Sequence, residues 1–417
     1  MTEETGQDAD GDDRAIDVSI IIVNYNSGSY ACNLVDGLLE EKVSTADGRE
    51  GRLEILVVEN CSPADQTPWM DTLRERPGVQ VLQTPSNLGY GGGCNWGAER
   101  ARGRNLLFMN PDVFVVPGAV DVMNRYLDQH PEAGQVGPCG WFDCHRFFHL
   151  PRIELPSLWL HLLEARRRSS QARAAGFALR RSRHALRIWS ARAPQPEPVL
   201  AGYAFMMPAD FARELGPFDE DYPLYFEDSD LTRRVRNAGR TAMLVPESEM
   251  VHLYNKSAGQ FEDEARAKSA ASQQVYWHKH YGGLGRWFGR RISRWMDSHP
   301  VDPGAQEFSR PVDLGTLEEP PVLPVGTTDP YVLELTIDPL YTLAVGRFDS
   351  RAELAIPTGV WEHLDPVRFF VRALRLPDLE SLGAWTFQKA AALVPVQSQE
   401  DFLCRLRFSE PSPGPET

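Results

Sequence analysis

Long apolar runs are missing from this sequence, and so is the apolar core of a signal peptide. A membrane-spanning helix needs roughly 18 consecutive apolar residues, and no stretch reaches that length. Residues 1–16 instead form an acidic segment with few hydrophobic residues, a composition that predicts a disordered tail. These absences together favour a cytoplasmic protein.

Paired cysteines and a basic charge balance are also missing. The six cysteines are scattered without C-x2-C spacing, which argues against a zinc site and predicts free thiols in a reducing compartment. The formal net charge is -15, which argues against a general nucleic-acid binder. The chain has 417 residues, 42% of them hydrophobic, which predicts a globular protein with more than one domain.

Neither of the two common glycine-rich nucleotide motifs is present. A cluster of glycines follows the third predicted strand rather than the first, and its spacing does not fit G-x-G-x-x-G: Gly89, Gly91, Gly92 and Gly93. No Lys-Ser/Thr pair follows them, which excludes a P-loop. Two interpretations remain for the cluster. The glycines either let a ligand approach the start of a helix, or they form a flexible turn.

What the sequence does contain is a regular alternation of strands and helices. The first predicted strand, Val18–Val23, is a nearly continuous apolar run rich in β-branched residues. The further predicted strands are Leu53–Val58, Val79–Gln83 and Asn105–Met109. The helices predicted between them are Ser29–Leu39, Thr67–Arg76 and a third that ends at Arg102. This alternation predicts an α/β fold, with a parallel sheet covered by helices on both faces.

Polar side chains follow several of these strands at the point where each strand ends. They are Asn24 and Asn26 after the first strand, Glu59 and Asn60 after the second, and Asp112 after the fourth. Ligands of such sheets bind beyond the carboxyl ends of the strands. We therefore expect these groups to converge on one crevice.

A later block, Gly216–Arg240, places acidic residues among aromatic ones. Glu227, Asp228 and Asp230 follow Tyr225 and Phe226. Apolar surroundings hinder ionisation and can prepare a carboxylate for proton transfer. The alternative is an ordinary acidic helix start, since Asp and Glu favour the first turn of a helix.

Taken in order, several stretches resemble the inverting glycosyltransferases of family 2, especially the rhamnosyltransferase-like branch with a GT-A fold. The matching stretches are Val18–Ser27, Val57–Ser62, Asn87–Gly97, Asn110–Asp112, Gly202–Met207, Gly216–Gly239 and His252, and the resemblance covers roughly residues 16–285. Two positions depart from the family pattern. Glu59 stands where Asp is commoner, and Leu253-Tyr254 follows His252 where glycine and serine are frequent.

The resemblance implies a donor, a cofactor and a set of site residues. The donor would be a nucleotide-diphosphate sugar, UDP- or dTDP-linked and including dTDP-rhamnose, and the acceptor a glycan, a lipid-linked compound or a metabolite. A divalent metal, Mg2+ or Mn2+, would be held by Asp112 and His252. Asp228 would be the catalytic base, with Glu227 and Asp230 beside it. The implied nucleotide-sugar-binding residues are Asn24, Asn26, Glu59, Asn60, Asn87, Gly89, Asn95 and Asn110.

Each proposed metal ligand has a plainer alternative. Asn-Pro-Asp at 110–112 is also a common turn sequence, and His252 could be a satisfied histidine at a strand end. Two other functions remain open as well. They are a nucleotidyltransferase on a related sheet, whose basic Gly-rich opening is missing here, and a catalytically silent glycan-binding protein, against which Asp112 and Asp228 argue.

Two segments combine arginines with large apolar residues. One is a predicted basic helical insertion at 151–193, and the other is Arg286–Trp295. Such segments either lie on an anionic membrane surface or pack on the catalytic domain with a solvated basic face.

The composition changes near residue 300. Residues 17–299 are predicted as the GT-A domain, 300–329 as a Pro-rich linker, 330–409 as a β-rich accessory domain and 410–417 as a tail. The accessory strands are predicted at Tyr331–Ile337, Thr342–Phe348, Ala352–Ile356, Phe369–Leu376, Trp385–Ala391 and Phe402–Phe408. This domain would bind acceptor glycan, form a homo-oligomer contact or buttress the enzyme.

Overall fold

The computed structural model describes residues 15–45, 47–168, 170–253, 262–299 and 311–391. The predicted strand Phe402–Phe408, the tail 410–417 and nearly all of the predicted N-terminal tail 1–16 lie outside these residues. Within them the chain forms a nine-stranded sheet covered by helices, followed by a five-stranded sheet. The predicted α/β class and the second β-rich region are both confirmed.

Nine strands form the first sheet: β1 (Val18–Asn24), β2 (Leu53–Glu59), β3 (Val79–Gln83), β4 (Asn105–Met109), β5 (Val113–Val115), β6 (Ala133–Trp141), β7 (Gln195–Pro196), β8 (Ala204–Pro208) and β9 (Thr241–His252). The helices of this part are α1 (Gly28–Leu38), α2 (Thr67–Arg74), α3 (Gly89–Ala98), α4 (Ala119–Gln129), α5 (Leu158–Arg167), α6 (Gln171–Trp189), α7 (Ala209–Leu215), α8 (Glu227–Asn237) and α9 (Glu262–Ser298). The strand order is β3-β2-β1-β4-β8-β6-β9-β5, and β7 pairs with β9.

The direction of the strands brings their polar ends to one edge. β1 pairs in parallel with β2 and β4, so these three strands end together. β8 runs antiparallel to β4 and therefore begins at that edge, while β9 runs parallel to β6 and ends there at His252. The predicted convergence of the strand-end residues at one edge of the sheet is confirmed.

Both faces of the sheet are apolar and covered. Ile20 and Ile22 of β1 lie in one buried cluster, and Ile21 and Val23 lie in the cluster on the opposite face. Alternate side chains of a strand point to opposite faces, so a continuous apolar run is what a strand with two covered faces needs.

The glycine cluster is part of α3 and is not a flexible turn. A Cβ added at Gly97 would lie 2.6 Å from Cγ2 of Ile21, and one at Gly93 would lie 2.8 Å from Cγ1 of Val23. These glycines therefore let α3 pack directly on β1. Gly89, at the start of the helix, has a left-handed φ of 73°.

The second sheet consists of β10 (Val312–Leu317), β12 (Tyr331–Thr336), β13 (Val345–Asp349), β15 (Arg368–Arg375) and β16 (Ser381–Lys389). β11 (Val322–Pro324) and β14 (Glu353–Ala355) form a separate pair, and α10 (Thr358–His363) precedes β15. The prediction of a linker at 300–329 is wrong for residues 312–317, which pair with β16. β10 is an edge strand with mostly exposed side chains, so its sequence lacks the apolar run by which a central strand is recognised.

The predicted helical insertion joins the two sheets. Trp189 of α6 lies against Gly346 of β13, where an added Cβ would come 2.0 Å from the indole ring. Nη2 of Arg372 donates to Oγ of Ser182 over 3.0 Å. The backbones of His149 and Gly346 also bond to each other, with 2.8 Å from the His149 nitrogen to the Gly346 oxygen. The second sheet is thus docked on the catalytic part through α6 and residue 149.

The structure can also be compared with the predictions about cysteines and about membrane-spanning helices. Cys32, Cys61, Cys94, Cys139 and Cys144 are free thiols, as their spacing indicated. Among the described helices, none combines the length and the apolar character that crossing a bilayer requires.

Candidate active site

The ends of β1 and β2 are joined by Glu59. One of its carboxylate oxygens accepts a hydrogen bond from the buried Asn24 amide. The other accepts from the backbone nitrogen of Ser62 over 2.7 Å. Gln66 makes a further link between these two parts of the chain, because its Oε1 accepts a hydrogen bond from the Gly28 nitrogen over 2.9 Å. The side chain of Glu59, which is longer than that of the commoner Asp, therefore connects the loops that follow β1 and β2.

Asn26 and Asn60 hold the neighbouring loops in the same way. Asn26 has a left-handed φ of 57°, and its Oδ1 accepts from the nitrogen of Ala64 over 3.1 Å. Asn60 accepts from the nitrogen of Leu88 over 2.9 Å and donates to the oxygen of Gly89 over 3.0 Å. We call residues 24–28, 59–66 and 84–89 the strand-end loops. Their amide groups fix one another, so the loops are preorganised.

Two further predicted binding residues also make contacts within the protein. Nδ2 of Asn60 donates to Oδ1 of Asn87 over 3.3 Å. Asn95 exchanges hydrogen bonds with the backbone of Phe218, and its Nδ2 also donates to Oε1 of Glu220 over 2.9 Å. Asn95 thus fastens α3 to the start of the acidic block, a role that the sequence did not indicate.

Asp112 and His252 meet at the end of the sheet. Asp112 is 1% exposed, and its Oδ1 lies 3.2 Å from Nε2 of His252. The pairing of Val113 with His252 across β5 and β9 places them together. A carboxylate oxygen and an imidazole nitrogen are both ligands that Mn2+ accepts, and the carboxylate suits Mg2+. The pair therefore fits a divalent cation that takes its remaining ligands from phosphate oxygens. The described residues contain no group of three or more acidic, histidine or cysteine ligands.

A short segment, Gly202–Tyr203, connects this pair with the acidic block. The Gly202 nitrogen donates to Oδ2 of Asp228 over 3.0 Å. The ring of Tyr203 stacks on the imidazole of His252, with 5.2 Å between ring centroids. The oxygen of Tyr203 accepts from the nitrogen of Asn110 over 2.8 Å. Asp228, His252 and the 110–112 turn therefore surround the same two residues at the start of β8.

Residues 227–230 form the first turn of α8, which we call the acidic turn. Tyr225 and Phe226 before it have left-handed φ values of 63° and 72°. Bulky residues rarely adopt this region, and each costs roughly 1–3 kcal/mol. The acids start a helix, as one interpretation of the sequence predicted, and they also follow a strained backbone. A role in proton transfer stays a prediction.

The two acids of this turn that lie nearest Gly202 differ in their surroundings. Glu227 is buried, and its Oε2 has no hydrogen-bond partner among the described residues. Burial and the neighbouring Asp228 raise the pKa of Glu227 from 4.5 to about 8. Burial also raises the pKa of Asp228, but three donors from Gly202 and Ser229 oppose that rise. The donors at Asp228 favour its charged form, whereas burial and the neighbouring carboxyl group favour the protonated form of Glu227.

Asp230 has a different environment. Its carboxylate is fully buried and accepts hydrogen bonds from Tyr222, Arg234, Lys279 and His280 over 2.7–3.2 Å. The bond from His280 and the charge of Arg234 hold its pKa well below the usual range, against the effect of burial. Asp230 therefore fastens α8 to α9. Its partners Lys279 and His280 could not be predicted from local pattern, because they lie in a later helix.

A separate cleft of about 500 Å³ opens at the opposite end of α8. Arg233, Arg236, Arg240 and Tyr281 are among its lining residues. None of the predicted site residues lines it, so it is distinct from the crevice at the strand ends.

Comparison with known proteins agrees with this arrangement. The family model "Glycosyl transferase family 2" matches residues 19–185, which contain the strand-end loops and Asp112. Residues 19–185 therefore form a region that resembles glycosyltransferase family 2. The predicted family and the predicted enzyme class are confirmed, and with them the GT-A assignment of the first sheet.

Two curated relatives of this glycosyltransferase are polysaccharide or cell-wall enzymes by name. An N-acetylglucosaminyl-diphospho-decaprenol L-rhamnosyltransferase of Mycobacterium tuberculosis is 28% identical over 62% of this chain and 82% of its own. The succinoglycan biosynthesis protein ExoO of Rhizobium meliloti is 30% identical over 29% of this chain and 32% of its own. Among solved structures, mannosyltransferase PcManGT from Pyrobaculum calidifontis, in complex with GDP-Man and Mn2+, aligns with a TM-score of 0.39 and 16% identity, over 70% of this chain and 80% of its own.

Proposed function

We propose that this glycosyltransferase is inverting and metal-dependent, and that it moves a sugar from a UDP- or dTDP-linked donor to a hydroxyl group of a glycan, lipid-linked or metabolite acceptor. The observation that carries the proposal is the Gly202–Tyr203 segment. It touches Asp228 on one side and His252, the neighbour of Asp112, on the other. These contacts support a proposed base and a proposed leaving-group site that share one crevice.

In this proposal Asp228 takes the proton of the acceptor hydroxyl. The charged form of Asp228 is favoured because Gly202 and Ser229 donate to it, while burial favours the protonated form of Glu227. A single base that acts as the acceptor attacks directly implies inversion at the anomeric carbon. The strained backbone at Tyr225 and Phe226 helps to hold Asp228 in position.

Asp112 and His252 would hold the divalent cation. When bound, the cation neutralises negative charge on the leaving diphosphate. The strand-end loops would bind the nucleotide, with Glu59 and Asn60 setting the shape of the base and ribose pocket. Because its rhamnosyltransferase relative carries decaprenol in its name, we include dTDP-rhamnose and lipid-linked acceptors among the candidates.

The test is donor hydrolysis with and without Mn2+ or Mg2+, across a panel of UDP- and dTDP-sugars, together with donor binding by calorimetry. At least one donor should be hydrolysed faster with metal, and Asp112→Asn should abolish that stimulation. Asp121→Asn, an acid on α4 away from the crevice, is the matched control. The proposal fails when no donor is bound or hydrolysed under any condition.

A further inference from the structure

The second half of α9 exposes an apolar stripe. Leu284, Trp287, Phe288 and Trp295 are 85%, 59%, 41% and 39% exposed. Their spacing of three, four and seven residues places them on one face of the helix. Exposed apolar residues occur singly on most proteins, whereas a contiguous group of large ones marks a binding surface.

The orientation of this helix is fixed by its opposite face. Ile292 and Met296 are buried against Ala165 of α5. Gly289 is buried too, and an added Cβ there would come 2.5 Å from the ring of Trp277. Since this inner face packs closely against the protein, the apolar stripe stays turned outward.

Arginines accompany the stripe. Arg286, Arg290 and Arg294 recur every fourth residue along its flank, and the guanidinium of Arg291 lies 5.3 Å from the ring centroid of Trp287. Among the described residues, no acidic side chain forms an ion pair with any of the four. Residues 283–298 contain one acid, Asp297. This helix end is therefore strongly basic in a chain whose net charge is -15.

In α6, which belongs to the other basic segment, several arginines form ion pairs and several apolar residues are buried. Arg180 and Arg181 of α6 pair with Glu154, and Arg187 pairs with Glu197. The apolar residues Ala185 and Trp189 of α6 are buried against the second sheet. The packing interpretation therefore holds for α6, whereas the four exposed arginines of α9 have no acidic partner among the described residues.

We propose that the outer face of α9, formed by Leu284, Trp287, Phe288, Trp295 and the four arginines, docks on an anionic lipid bilayer. The helix would lie parallel to the surface, with its aromatic rings at headgroup level and its arginines against lipid phosphates. The charge balance favours this partner, because the negative remainder of the protein is repelled by the same surface and so orients the molecule. The proposal does not depend on which sugar is transferred.

The experiment is vesicle flotation of the full chain without any sugar donor. One vesicle preparation is phosphatidylcholine alone, and the other adds phosphatidylglycerol to about one third. We expect binding to the anionic vesicles only, weakened by salt. Trp287→Ala with Phe288→Ala should lower the partition coefficient more than about tenfold, and Arg290→Gln should lower it about fivefold.

Two substitutions elsewhere are matched controls. Ile337→Ala removes a side chain that is 65% exposed on the second sheet, and Arg183→Gln removes an exposed arginine of α6. Neither should change vesicle binding. Circular dichroism melting checks that every variant folds, which is expected because the substituted α9 side chains are exposed.

Three results would overturn the proposal. The first is equal binding to neutral and anionic vesicles, or binding to neither. The second is unchanged binding by the Trp287/Phe288 double variant. The third is a dimer of the parent protein in light scattering that this variant converts to a monomer, since the face would then be covered by a second copy. Donor hydrolysis in solution stays intact in each of these cases, which separates this failure from a failure of the proposed function.

Discussion

On one side of the crevice, the strand-end loops bond their polar groups to one another. Asn24, Glu59 and Asn60 each have partners in a neighbouring loop. On the other side, the acidic turn contains Glu227, whose Oε2 has no hydrogen-bond partner among the described residues and whose pKa is raised to about 8. The polar groups of the first region are hydrogen-bonded to one another, whereas the second region holds a buried carboxyl group at a cost in stability. Enzymes often place such strain and poor solvation where chemistry occurs.

The largest effect expected from this contrast is on Asp228. Asp228→Asn removes the proposed base while keeping size and shape, so transfer should fall by about 10³-fold, equivalent to roughly 4 kcal/mol. Donor binding, measured by calorimetry, should be unchanged because the strand-end loops are intact. The matched control is Asp221→Asn, an exposed acid of the same block. If donor binding is lost instead, the wrong carboxylate has been assigned.

Asn60→Ala, in the strand-end loops, should mainly lower the free energy of unfolding. The backbone nitrogen of Leu88 loses its acceptor and the oxygen of Gly89 loses a donor. Unfolding in urea should show a loss of about 3 kcal/mol, with a raised KM for the donor. Asn237→Ala, at an exposed position of α8, should change neither quantity. A loss of kcat with unchanged KM and stability would contradict this prediction, because Asn60 would then act in the chemical step.

Glu227→Gln, unlike Asn60→Ala, should raise the free energy of unfolding. A carboxyl whose folded pKa lies above its unfolded pKa destabilises the fold increasingly as pH rises from about 4.5 to about 8. The Gln variant has no such ionisation penalty, so it should be more stable than the parent by ~3 kcal/mol at pH 7 and equal to it near pH 4.

The measurement for this prediction is urea unfolding across that pH range. Glu214→Gln, an exposed acid of α7, serves as the control and should show no such pH dependence. A Gln variant that is less stable than the parent at pH 7 would mean that Glu227 is charged and paired.

The smallest effect is expected for Glu59→Asp. The shorter side chain cannot reach Asn24 and the nitrogen of Ser62 together, so one hydrogen bond is lost, worth about 1 kcal/mol. The donor KM should rise a few-fold and kcat should stay the same. Glu50→Asp, an exposed position before β2, is the control. A large loss of kcat would show that Glu59 acts in the chemical step.

Much of the fold was predictable because local pattern encodes it. β1 is mostly apolar and buried along its whole length, so its sequence differs from that of an exposed segment. β10 was missed because an edge strand buries little and has no such pattern. The positions of Asp112, His252 and Asp228 came from family resemblance. The contacts of Asp228 with Gly202 and of His252 with Tyr203 were not predictable, because they depend on which strands are neighbours.

The sequence by itself determined the α/β alternation, the polar strand ends and the acidic helix start, because each depends on residues close together in the chain. Tertiary structure alone decided two things. It placed Gly202–Tyr203 between Asp228 and His252 through the antiparallel insertion of β8 beside β4. It also covered the basic helix α6 with the second sheet and left the outer face of α9 exposed. Two segments of similar composition thus differ in exposure, since burial depends on which surfaces the rest of the chain brings against them.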